Sequence, residues 1–103
     1  MKILKIAIPL LLTVCVATAA EFEVVQKGKL FEPTAIDAKV GDVIKFKNAD
    51  PFAHNAFSED GENEFDIGMQ APGEDYTITL KAAGTINVEC AIHPSMQLKI
   101  TVN

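Results

Sequence analysis

The sequence predicts an all-β sandwich, and three observations carry that reading. Beyond residue 20, no window keeps apolar residues at the 3.6-residue period of a helix. Apolar and polar residues alternate instead over short runs, the period of a half-buried strand. Gly28, Gly41-Asp42, Pro72-Gly73 and Gly84 fall between these runs, where the chain must turn.

The runs follow in order. Phe22 and Val24 alternate with Glu21 and Glu23, and Ile44 and Phe46 with Lys45 and Lys47. Tyr76, Ile78 and Leu80 share a face opposite Asp75, Thr77 and Thr79. Ile86, Val88 and Cys90 form the next inward face, and Met96, Leu98, Ile100 and Val102 the last. Cys90 ends one strand and Met96 opens the following one, so both sulfurs point toward the same end of the core.

The first twenty residues are of another kind. Lys2 and Lys5 precede a nearly continuous apolar run from Ile6 to Val16, and Ala17-Thr18-Ala19 is an A-x-A cleavage pattern, with Ala20 equally suitable as the final residue. This reads as a secretory signal peptide over residues 1–20, helical over 1–19, ahead of a single domain over 21–103. The run is short of the ~20 residues of a spanning helix. A bulky Val14 precedes Cys15, which argues against a lipid anchor there. The expectation is export to the periplasm, with no stable membrane insertion after cleavage.

Composition narrows the function. In 103 residues there are nine Lys, no Arg and fourteen Asp plus Glu, a formal charge of −5. That excludes nucleic acid, whose binding calls for basic patches. Two Cys and two His cannot make a Cys-rich disulfide framework, a four-Cys zinc site or an iron–sulfur cluster. After cleavage the domain keeps seven Lys against fourteen acids, a charge of −7, and one thiol without an intramolecular partner.

That thiol stands in Cys90-Ala91-Ile92-His93-Pro94-Ser95-Met96, a C-x-x-H-x-x-M pattern. Each three-residue gap spans at most ~10 Å, so a curled loop can bring Cys, His and Met around one ion. Pro94 stiffens it. The second imidazole, His54, follows the Ile44–Asn48 run and a turn built around Asp50-Pro51. Two imidazoles, a thiolate and a weak thioether form the blue-copper ligand set, whereas a thioether offers zinc little. The side chain or backbone N–H of Asn55 is placed to bond the Cys90 sulfur or pin the loop. Met69, after Gly68, has no neighbouring ligand and reads as core or patch packing.

These residues resemble the cupredoxins, the type 1 blue copper proteins, and within them the amicyanin/plastocyanin-like group. The likeness rests on Phe31-Glu32-Pro33, on Gly41 through Asn48, on Asp50 through His54-Asn55, and on Gly84-Thr85 leading to the Cys90–Met96 loop. It implies a Greek-key β-sandwich or barrel and one copper ion at His54, Cys90, His93 and Met96. It also implies a one-electron carrier, with His93 as the ligand nearest the surface.

The remaining features concern partners. Glu59, Asp60, Glu62, Glu64 and Asp66 form an acidic stretch that reads either as a solvated loop or as a docking face for a basic partner. Ala91, Ile92 and Pro94 beside His93, with Pro51 and Phe52, make an apolar rim suited to electron exchange. The expected partners are redox proteins such as a c-type cytochrome or a periplasmic dehydrogenase, and the carrier is expected to be a monomer. No free general base stands beside a nucleophile, so no catalysis is expected. The alternatives are a periplasmic copper-handling protein or chaperone with the same ligands, and a metal-free interaction module.

Overall fold

A computed structural model describes residues 18–103. The expected signal helix lies almost wholly outside them. Among the described residues nine strands make two facing sheets: β1 (Glu21–Lys27), β2 (Leu30–Glu32), β3 (Ala35–Ala38), β4 (Val43–Asn48), β5 (Phe57–Ser58), β6 (Phe65–Asp66), β7 (Asp75–Thr79), β8 (Gly84–Glu89) and β9 (Gln97–Val102). One sheet has the order β2-β1-β4-β7 and the other β3-β9-β8-β5-β6. β1 runs parallel to β4, and β3 parallel to β9. The all-β sandwich expected from the alternation is the observed architecture.

The core lies between the sheets. β4 is inward-facing at Ile44, Phe46 and Asn48, β8 at Ile86 and Val88, and β9 at Leu98, Ile100 and Val102, all buried. Phe46 is the central aromatic. Its ring meets Phe31 edge-on at 6.2 Å between centroids and Phe65 at 5.9 Å. Such pairs add to the burial of apolar area, which is the main stabilising effect here.

The inward face read for Tyr76, Ile78 and Leu80 holds only in part. Leu80 is buried and Ile78 half-buried, but Tyr76 is 47% exposed. β7 is an edge strand, paired on one side with β4, and the opposite sheet does not cover its first residues. The acidic stretch is also more ordered than a plain loop. It follows β5 and holds a short 3-10 turn at Gly61–Asn63 and β6.

Two features fix the ends of the first sheet. Gly28 and Lys29 form the two-residue turn between β1 and β2, both at positive φ (62° and 59°), as a tight hairpin demands. At the other end Asp42 is buried and accepts from the Ala20 and Lys39 N–H groups, both at 2.9 Å. The Ala20 carbonyl accepts from Val43 N–H at 2.9 Å. The Lys39 amide, and then that of Ala20, hold the Asp42 carboxyl below the ordinary aspartate value of 3.8, against the opposing effect of burial.

A depressed folded-state pKa stabilises the fold above the ordinary value and loses that contribution as pH falls through the folded one. Asp42→Asn should therefore flatten the acid limb of stability below pH 3.8. Urea unfolding at pH 7 and pH 3 checks this. An equally steep loss in the variant would mean that Asp42 has no part in it.

Candidate metal centre

Four loops meet at one pole of the sandwich. β4 ends at Asn48, whose side chain folds the following segment back. Its Oδ1 accepts from Asp50 N–H at 3.0 Å, and its Nδ2 donates to the Phe52 and Gln70 carbonyls at 2.9 and 3.0 Å. This is the local side-chain bonding that makes Asn a turn residue. His54 emerges from that turn and pairs with Gln70 in both directions, N to O at 3.0 Å and O to N at 2.8 Å. The His54 ring is thereby fixed and fully buried.

Cys90 comes directly after β8 and is 3% exposed; Met96 comes directly before β9 and is fully buried. Between them His93 is half-buried, and its carbonyl accepts from Met96 N–H at 3.0 Å, which curls the loop. The ligand atoms of His54, Cys90 and His93 all lie within 4.8 Å of one another. Cys90 Sγ is 4.0 Å from His93 Nδ1. Donors at bond lengths of ~2.0–2.3 Å from a shared ion stand about 3.6 Å apart in a trigonal plane, so small adjustments close the set.

One buried atom tests whether an ion fits. His54 Nδ1 has no hydrogen-bond partner, while Nε2 donates to Asp50 Oδ2 at 2.6 Å. An ionised carboxylate only accepts, so Nε2 carries a proton, and in the neutral imidazole Nδ1 is then a bare lone pair. An unpaired buried acceptor is costly; a metal bond from Nδ1 removes the cost. With a soft thiolate in the set, the residues fit copper.

Charge at the site is arranged by contact. Burial opposes ionisation of Asp50, but hydrogen bonds from His54, Gly28 and Lys29 outweigh it and hold the carboxyl below its ordinary value. Burial first, and then the positive field that His54 exerts when protonated and that of Lys29, hold His93 below the ordinary 6.5, which favours its neutral imidazole. Phe52 packs against both imidazoles, with centroids at 5.2 and 5.5 Å, and the imidazoles are 5.0 Å apart. Lys29 Nζ stands 5.8 Å from the Phe52 centroid.

Asn55 joins the two ligand loops. Its backbone N–H lies 3.4 Å from Cys90 Sγ, its Oδ1 accepts from Ala91 N–H at 3.2 Å, and its Nδ2 donates to Asp66 Oδ1 and the Gly68 carbonyl at 2.8 and 3.0 Å. Of the acidic stretch, Asp66 is thus tied to the site through Asn55. Asp60 accepts from the backbone and side-chain nitrogens of Asn87 at 2.7 and 3.2 Å, and that backbone bond leads the effects lowering its pKa. Glu59, Glu62 and Glu64 are exposed and in no ion pair among the described residues. Ala91, Ile92, Pro94 and Phe52 are exposed around His93. Met69 is 68% exposed, so of the two packing roles read for it the surface patch is the one observed.

The sequence reading missed Asp50, Asn48 and Gln70 as parts of the site. Asp50 carried a signal: a carboxylate four residues ahead of a candidate ligand, in a Pro-containing turn, is placed to orient the ring. Asn48 carried only the turn preference of an Asn ahead of Asp50-Pro51, and Gln70 carried none, because it meets Asn48 across 22 residues of sequence.

Residues 19–103 match the model of the copper-binding proteins of the plastocyanin/azurin family. A plastocyanin from Lactuca sativa is 38% identical over 89 residues, covering 74% of this chain and 90% of its own. A Cu(I) amicyanin variant superposes with a TM-score of 0.73 at 27% identity, over 85% of this chain and 86% of that one. A copper-containing nitrite reductase from Thermus scotoductus superposes with a TM-score of 0.75 at 30% identity over 85% of this chain, which spans only 25% of the enzyme's.

Proposed function

The chain belongs to the plastocyanin/azurin family of copper-binding cupredoxins, and from that premise we propose that it is an exported carrier of single electrons, not an enzyme. In this reading the His54 and His93 imidazoles, the Cys90 thiolate and the Met96 thioether hold one copper ion. The carrying observation is the convergence of three donors from two distant loops within 4.8 Å. Bound copper supplies one-electron exchange between its Cu(I) and Cu(II) states. The protein's part is to hold the donors still. Asn48 and Gln70 fix His54, Asn55 fixes the Cys90 loop, and burial of His54, Cys90 and Met96 keeps water from the sulfurs.

His93 is the exposed side of the set, and the Ala91, Ile92, Pro94 and Phe52 rim around it is where electrons pass to a partner docked against it. Glu59, Glu62 and Glu64 attract a basic redox protein at long range, a c-type cytochrome or a periplasmic dehydrogenase in chemical character; the bonds of Asn63 to Lys81 and Ala82 put their turn toward the start of β8, away from the rim. Replacing Glu62 and Glu64 with Gln should slow association roughly two- to fivefold at low salt, an effect that fades with added salt. Stopped-flow mixing with a basic cytochrome reads it. An unchanged rate would leave the acids a solubility role alone.

Export to the periplasm follows from the leader pattern. Among the described residues no helix is long and apolar enough to cross a membrane. Cleavage after Ala20 removes its bonds to Asp42 and Val43 from the mature protein, whereas cleavage after Ala19, the other end of the A-x-A pattern, keeps them. The test of the main reading is the visible and electron paramagnetic resonance spectrum of the copper-loaded protein. An intense copper–thiolate charge-transfer band is expected; a protein that stays colourless and metal-free after copper addition overturns the reading.

A further inference from the structure

Asp50 is 8% exposed and sits behind the site, facing His54 and the β1–β2 turn together. Its Oδ2 accepts from His54 Nε2 at 2.6 Å and from Lys29 N–H at 3.2 Å, and its Oδ1 from Gly28 N–H at 2.9 Å. Three N–H groups thus converge on one buried carboxylate, and among the described residues no lysine pairs with it. The two turn amides belong to the positive-φ pair, in which Lys29 carries a side chain where glycine is favoured. The Lys29 carbonyl in turn accepts from Ser95 Oγ at 3.5 Å, in the second ligand loop.

Orientation alone would need only a neutral acceptor. A charged one does two further things. It draws on the Nε2 proton and so raises electron density at Nδ1, making the imidazole a stronger donor. It also places a negative charge near the ion, which attracts a doubly charged ion more than a singly charged one. Both effects favour Cu(II) over Cu(I).

Resting on the copper reading above, we infer that Asp50 is a positioning residue that sets the donor strength of His54 and so holds down the reduction potential of the site. Gly28 and Lys29 anchor the carboxylate that does this, which joins the β1–β2 turn to the electronics of the metal.

Asp50→Asn separates charge from orientation, since the amide oxygen still accepts from Nε2–H. In the copper-loaded variant the charge-transfer band should persist while the potential, titrated at an electrode, rises. About a tenfold loss of Cu(II) affinity relative to Cu(I) corresponds to about 59 mV. A coloured variant whose potential is unchanged or lower overturns the inference. A colourless wild-type protein would instead overturn the copper reading.

A second readout needs no metal and guards against a variant that fails to load. Nitrogen-15 NMR of the His54 imidazole in the metal-free protein should show protonation at Nε2, and Asp50→Ala should give a tautomer mixture. Protonation at Nδ1 in the wild type, or an unchanged tautomer in Asp50→Ala, also overturns the inference.

Discussion

Cys90→Ser should reduce the intense visible absorption of the copper-loaded protein to baseline. A serine hydroxyl stays protonated at neutral pH and offers no soft, polarisable donor, so the charge-transfer transition has no origin. The fold should tolerate the change, because sulfur and oxygen differ little in volume and the Asn55 N–H that lies 3.4 Å from Sγ still finds an acceptor. The measurement is a visible spectrum at matched copper content, with circular dichroism as the control for folding. Colour that survives at full strength would remove Cys90 from the ligand set and leave His54 and His93 without a thiolate partner.

Phe46→Ala should cost about 3–5 kcal/mol of stability, from lost transfer energy plus the cavity left behind. Phe46 is fully buried between Phe31 and Phe65, in rigid strands that cannot collapse onto the space. A domain of this size has roughly 5–15 kcal/mol in total, so the variant is marginal at best. Urea unfolding of the metal-free protein reads the loss without the added stabilisation of a bound ion. A loss below about 1 kcal/mol would mean the ring is not packed as described.

Much of this architecture was legible in the sequence because the strands that build it obey one local rule. β4, β8 and β9 alternate cleanly, and each buries the residues that alternation assigns inward. The rule fails where tertiary context decides. β3 is four residues with two alanines, too short and too small to register, and only its parallel pairing with β9 makes it a strand. β5 and β6 are two residues each, placed by their neighbours. Tyr76 alternates correctly but lies on an edge that none of the described residues covers.

The same division runs through the site. The spacing of Cys90, His93 and Met96 is local and was readable. The link to His54 required only that two loops share a pole. What holds those loops was not readable, since Asn48 to Gln70 and Asp50 to Gly28 are contacts between distant segments, created by the fold they support.

The place of β9 has a consequence for the order of events in the molecule's making. It is the last strand among the described residues, yet it lies inside its sheet between β3 and β8, with Met96 just ahead of it. A nascent chain emerges amino end first, so this strand arrives when all others are already waiting. Until then β3 has no neighbour to bond and the thioether is absent. A fragment that stops short of Met96 therefore has no finished cage to offer, and the protein acquires its ion only once β9 has been delivered.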